Sequence, residues 1–202
     1  MRKMALFGAN EDVGLEFVQH AQERHCRVKV MINSNQYVLT KYPTLESAEY
    51  TFNDKKSVVS ALEGCNSVVI VIDESGMVTA DQYNPLYSMA IRVLISALKE
   101  TGIKHLIILS DSDSTAWHED LGYGSSFFKP RITNSYINLM KMANQIDIAA
   151  KGINWIIACP LYPMGGNSKL YLIKEQKIGK GNFRISRLDL MDYILSEQDE
   201  YS

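Results

Sequence analysis

The stretch "MALFGANEDVG", residues 4–14, decides the fold. Residues 3–8 (KMALFG) form a short apolar run ended by glycine, which reads as a buried strand. Residues 12–25 (DVGLEFVQHAQERH) place Val13, Phe17, Val18 and Ala21 on one helical face. A strand that passes through a glycine turn into a helix points backbone N–H groups at an incoming phosphate. Gly8 serves the tight turn, and Gly14 lets helix and strand pack closely. Glu11 and Asp12 stand where the backbone would approach that phosphate.

The same alternation continues along the chain. Residues 27–33 (RVKVMIN) read as a strand, 48–52 (AEYTF) as a weaker one, and 56–64 (KSVVSALEG) as a short helix stopped by Gly64. Residues 66–73 (NSVVIVID) give the clearest strand, followed by a long amphipathic helix over 82–102. A buried strand over 104–110, a second long helix over 132–152 and a strand over 153–160 complete the series. Helical patterns between short, continuous apolar strands predict βαβ units and a parallel sheet covered on both faces. A small hairpin and a terminal helix follow, the helix starting near Ser186 or Arg187. The irregular stretch 111–131, which carries Trp117, Tyr123, Phe127 and Phe128, reads either as a substrate wall or as a surface insertion packing its own aromatics.

Composition narrows the function classes. The 202 residues suit one α/β domain, residues 1–202. Hydrophobic residues make up 46% and charged residues 22%, as in ordinary globular proteins. A net charge of −2 gives no electrostatic basis for nucleic-acid or anionic-membrane partners. The three cysteines, Cys26, Cys65 and Cys159, are scattered and fit a reduced compartment. No apolar run nears the roughly 18 residues of a membrane span, so a cytoplasmic location is expected. The four histidines show no metal-ligand spacing, and His118 alone falls in the long loop.

Several segments, in order, resemble one family. "MALFGANEDVG", "ALEGCNSVVIVI", "ALKETGIKHLIILSDS", "KMANQIDIAAKGINWIIACPLYP" and "FRISRLDLMDYIL" are similar to successive units of atypical short-chain dehydrogenase/reductases. The nearest group is NmrA-like NAD(P)H-binding proteins, including flavin and biliverdin reductases. The resemblance implies a Rossmann-like doubly wound parallel sheet of order 3-2-1-4-5 and onward, with NADP or NAD across the strands' C-terminal edge. It implies hydride transfer to a flat small-molecule acceptor such as a flavin or quinone, by a monomer or homodimer. A non-catalytic sensor or interaction protein on the same fold is the alternative.

Carried over residue by residue, the resemblance places Gly8, Asn10, Glu11, Asp12 and Val13 at the pyrophosphate turn. It places Asn33 and Thr51 on the adenosine side, and Ile72, Asp73 and Pro160 along the cofactor. This chain departs from the pattern Gly-Ala-Thr-Gly-x-x-Gly at the middle glycine, which is Glu11. Two unit charges ~4 Å apart repel by about 4 kcal/mol at an effective dielectric near 20. A helix N-terminus attracts an anion by only about 0.3–2 kcal/mol. Asp12 could itself cap that N-terminus. Asn33 replaces the acid or base that selects NAD or NADP, with Lys41 the nearest downstream base.

Ser110 matches the first of the family's two serines, and Asp111 takes the place of the second. Ser110 and Ser112 are therefore the catalytic candidates, or turn formers after a strand. The family's Tyr-x-x-x-Lys pair is absent at its matching place, because Ile137 stands four residues before Lys141. Acids recur after strand ends at Glu11, Asp12, Asp73, Glu74, Asp111 and Asp113, an edge of the wrong sign for a dinucleotide. Clustered carboxylates holding a divalent metal, and solvated loop acids, are the two other readings of that rim.

Overall fold

The computed structural model of the chain describes residues 3–10, 12–33, 36–72, 85–110, 149–158 and 191–196. In chain order these form β1 (Lys3–Phe7), α1 (Asp12–Glu23), β2 (Arg27–Ile32), α2 (Tyr37–Lys41) and β3 (Glu46–Glu49). There follow α3 (Lys55–Ala61), β4 (Ser67–Ile72), α4 (Pro85–Thr101), β5 (His105–Ser110) and β6 (Asn154–Ala158). The strands form one sheet of order β3-β2-β1-β4-β5-β6, and every adjacent pair is parallel. The expected Rossmann-like doubly wound sheet and its 3-2-1-4-5 order are borne out. The chain reverses direction of winding between β1 and β4, which leaves a crevice at the C-terminal ends of those strands.

Alternating side chains feed two cores, as the period of a strand requires. Ala5, Phe7, Val68 and Ile70 face α3 and α4, where Val58, Leu62, Leu94 and Leu98 are buried. Met4, Leu6, Val69 and Val71 face the other way, onto Phe17, Val18 and Ala21 of α1. The predicted apolar face of α1, including Val13, is thus the buried one. Helical residues 191–196 add Met191, Ile194 and Leu195 to this second core. Asp192 then pairs with Arg24 at 2.7 Å and with His20, fastening the C-terminal segment to α1. The expected hairpin before that helix, most of the 132–152 helix and the 111–131 stretch lie outside the described residues.

Three differences from the sequence reading stand out. The third strand is Glu46–Glu49 and not 48–52. Its register with β2 ends at Ile32 opposite Glu49. Tyr50 and Phe52 are β-prone by type, but their rings pack on Phe7 beyond the end of the strand. The polar strand "ESAE" is what an edge tolerates. The second difference is α2, five residues long and too short to show a helical period. α1 stops at Glu23, two residues early, because His25 turns left-handed at φ 57°. There the Cys26 N–H reaches the Ala21 carbonyl at 2.8 Å and the His25 N–H reaches Gln22 at 3.0 Å, a Schellman ending.

Candidate functional site

The crevice is built from the residues that leave the C-terminal ends of the strands. Gly8 follows Phe7 directly and has φ +80°. A methyl group at Gly8 would stand 2.3 Å from the Val71 carbonyl oxygen of β4. The turn therefore lies against the neighbouring strand with no room for a side chain. A methyl at Gly14 would stand 2.1 Å from the Gly8 carbonyl oxygen and 2.8 Å from the Ala9 Cα. α1 is thereby seated directly on the turn, with its first N–H groups at the sheet's C-terminal edge. Both predicted glycine roles hold.

Asn10 completes the turn and reaches sideways. Its Oδ1 accepts the Val38 backbone N–H at 2.9 Å, 28 residues away in the chain. Val38 is the second residue of α2 and is fully buried. The N-cap residue of α2, Gln36, has φ −115° and ψ 20° and makes no side-chain cap hydrogen bond. Asn10 thus does for α2 what its own N-cap does not.

The adenosine-side candidates flank this turn. Asn33 is exposed immediately after β2, and Thr51 is exposed after β3. Thr51 is engaged locally: its N–H donates to Ser57 Oγ at 3.0 Å, and its Oγ1 accepts from the Asn53 N–H at 3.2 Å. Asp54 then caps α3 by accepting the Lys56 N–H at 2.9 Å. Lys41, the nearest base after Asn33, sits 5.4 Å from the Tyr42 ring centroid. Between them Phe7, Tyr50 and Phe52 form an aromatic cluster, with Phe7 edge-on to Tyr50 at 4.8 Å and Phe52 stacked on Phe7 at 5.8 Å. Burial pushes the Tyr50 phenol up to about 12. Sequence reading missed this cluster because "YTF" has strand composition.

The remaining candidates fall at the ends of β4 and β5, at the start of α1, or outside the described residues. Ile72 ends β4 opposite Ser110, which ends β5, so the two are register neighbours at this edge. Asp12 is the first residue of α1. Val13 turns its side chain into the core at 6% exposure, leaving its backbone as its contribution to the turn. Glu11, Asp73, Ser112 and Pro160, with the acids Glu74, Asp111 and Asp113, lie outside the described residues. Among the described residues, no group of three or more His, Cys, Asp or Glu side chains is arranged for a metal ion. Buried Cys65 has its thiol pushed up by burial, which makes it a poor nucleophile. Among the described residues no helix is long and apolar enough to cross a membrane.

These residues fit a dinucleotide. The turn closed by Gly8 and Gly14, the helix N-terminus behind it and the exposed Asn33 just after the adjacent strand form the cradle such a ligand takes. Solved structures of the same architecture match nearly the whole chain. A short-chain dehydrogenase/reductase from Veillonella parvula, solved with NADP, aligns over 100% of this chain and 88% of its own at a TM-score of 0.67 and 13% identity. The anaerobillin reductase ChuY from Escherichia coli O157:H7 aligns over 98% and 90% at 0.64 and 16% identity. A Rossmann-fold NAD(P)-binding protein from Shigella flexneri aligns over 100% and 88% at 0.65 and 16% identity. No curated protein matches the chain in sequence. The NAD(P)H-binding family matches residues 8–200, from the first glycine of the turn to the C-terminal tail, and the chain belongs to that family.

Proposed function

We propose that the chain is an NAD(P)H-dependent reductase acting on a flat small-molecule acceptor, of the flavin or quinone type, in the NmrA-like manner. The observation that carries this reading is the glycine turn between β1 and α1, at the point where the sheet's winding reverses. The reductases among the structural neighbours support it. The bound cofactor would supply the hydride. Gly8, the backbone of the turn through Asn10 and the start of α1 would hold the pyrophosphate, and Asn33 and Thr51 would face the adenosine ribose. Ser110, at the end of β5, would orient the acceptor, with Ser112 and Pro160 nearby in sequence to the respective strand ends. Without a Tyr-x-x-x-Lys pair at the family's matching place, the proton that accompanies the hydride would come from solvent or the acceptor's own acidic group.

Titration with NADH and NADPH, followed by fluorescence or calorimetry, tests this directly. Saturable binding below millimolar concentration is expected, and its absence rejects the reading. Glu11→Gly should raise dinucleotide affinity by about tenfold, since it removes a negative charge from the turn proposed to hold the pyrophosphate. Unchanged or lower affinity would count against that electrostatic argument. The replaced middle glycine favours one competing reading, a sensor that binds the dinucleotide without turning it over. Steady-state NADPH oxidation lost on Ser110→Ala separates the two.

A further inference from the structure

We propose that Asn10 is a positioning residue for the adenosine half of the dinucleotide, acting through α2. This deepens the reading above and rests on it. α2 has five residues, too few to be stable alone. Its Val38 N–H sits on a fully buried residue, away from water, and would be costly to leave unpaired. The local N-cap does not serve it, because the Gln36 backbone is outside the extended region from which a cap side chain reaches back. The acceptor comes instead from Asn10, in the glycine turn, at 2.9 Å. One hydrogen bond therefore spans the two segments that a dinucleotide would touch on its two sides, the turn after β1 and the connection after β2. Asn33 is exposed immediately after β2 and stands four residues before the start of α2 in the chain. Val38 belongs to the same buried core as Leu6, Ala9 and Val30, so α2 and the turn share one core. Losing the cap frees the β2–α2 connection while leaving Gly8 and α1 in place. The nicotinamide half, on the far side of the turn toward β4 and β5, loses nothing.

The experiment compares 5′-AMP, nicotinamide mononucleotide and NADPH on the wild-type chain, Asn10→Ala and Asn10→Asp. Each mononucleotide carries one phosphate, so a direct phosphate contact by Asn10 would alter both alike. Asn10→Ala is expected to weaken 5′-AMP and NADPH about five- to tenfold and to leave nicotinamide mononucleotide unchanged. Amide exchange at Val38 in the ligand-free chain should accelerate by a similar factor. Asn10→Asp keeps an acceptor for Val38, so its ratio of 5′-AMP to nicotinamide mononucleotide affinity should stay at the wild-type value while both fall through the added charge. Equal weakening of both mononucleotides in Asn10→Ala, or no weakening, overturns the proposal. So does unchanged Val38 exchange. Should Asn10→Ala not fold, Asn10→Gly removes the same acceptor and is read by the same outcomes. A wild-type chain that binds no dinucleotide fails the broader reading, and that result is visible without any variant.

Discussion

At the N-terminal edge of the sheet, Lys3 pairs with Glu46 at 2.6 Å, and Lys3 and Asn66 exchange hydrogen bonds at 2.9 and 2.8 Å. Lys29 donates to the Glu63 carbonyl at 3.2 Å. The hydrogen bond from Lys3 holds the Glu46 carboxyl below its usual range. At the C-terminal edge the corresponding connections are a glycine against a backbone carbonyl, an asparagine capping a distant helix and three packed aromatic rings. Apart from the one backbone pair of Asn66 and Lys3, the first set relies on polar side chains near the surface, and its ion pair is worth little. The second set relies on backbone proximity and burial, where a single added atom has nowhere to go. The edge that would hold the ligand is thus the rigid one, and the opposite edge tolerates change.

The sharpest way to break this contrast is at Gly8. Gly8→Ala adds a methyl 2.3 Å from the Val71 carbonyl at a left-handed φ of +80°. A loss of about 4 kcal/mol or more is expected in urea unfolding, because both backbone strain and a backbone clash act together. A loss under 1 kcal/mol would mean that β1 and β4 separate easily there. Next comes Tyr50, whose phenol burial raises to about 12 from 10.0. Its folded pKa lies above its unfolded value, so the stabilisation is full below pH 10 and is lost as pH rises from 10 toward 12. The loss should reach about 2–3 kcal/mol. Tyr50→Phe should remove that step from the alkaline unfolding profile, and an unchanged profile would show that the ring opens to water.

The smallest expected effect tests the other edge. His25 ends α1 at φ 57°, a conformation that favours glycine. His25→Gly should therefore gain about 0.5–1 kcal/mol, seen as a Tm rise of roughly 2 °C, with dinucleotide affinity unchanged. A shift in affinity from that position would join the two edges and blur the contrast between them.

Much of this architecture was readable along the chain because it depends on local pattern. "SVVIVI" is a continuous apolar run bounded by polar residues, and β4 lies where it says. Phe17, Val18 and Ala21 repeat at helical spacing and are buried as that spacing requires. Gly64, Gly102 and Gly152, each with positive φ, stand where elements were expected to stop. The site was less legible because its parts meet across distance. Nothing within residues 8–14 announces that Asn10 caps a helix starting at Tyr37. "YTF" has the composition of a strand, and only the position of Phe7 turns those rings into a cluster after β3. Thr51 carries a hydroxyl suited to a ribose, yet its oxygen already takes the Asn53 N–H.

The seating of Gly8 and Gly14 has one consequence for descent. Both glycines are enforced by the protein's own oxygens, Val71 for the first and Gly8 for the second. A lineage that abandoned its nucleotide would still be held to glycine at both positions by folding alone. At position 11 the family resemblance implies a constraint from the ligand instead, so that position would record changes in use. Among descendants of this chain, the two outer glycines would mark common origin, while the residue at 11 would drift or persist with the ligand.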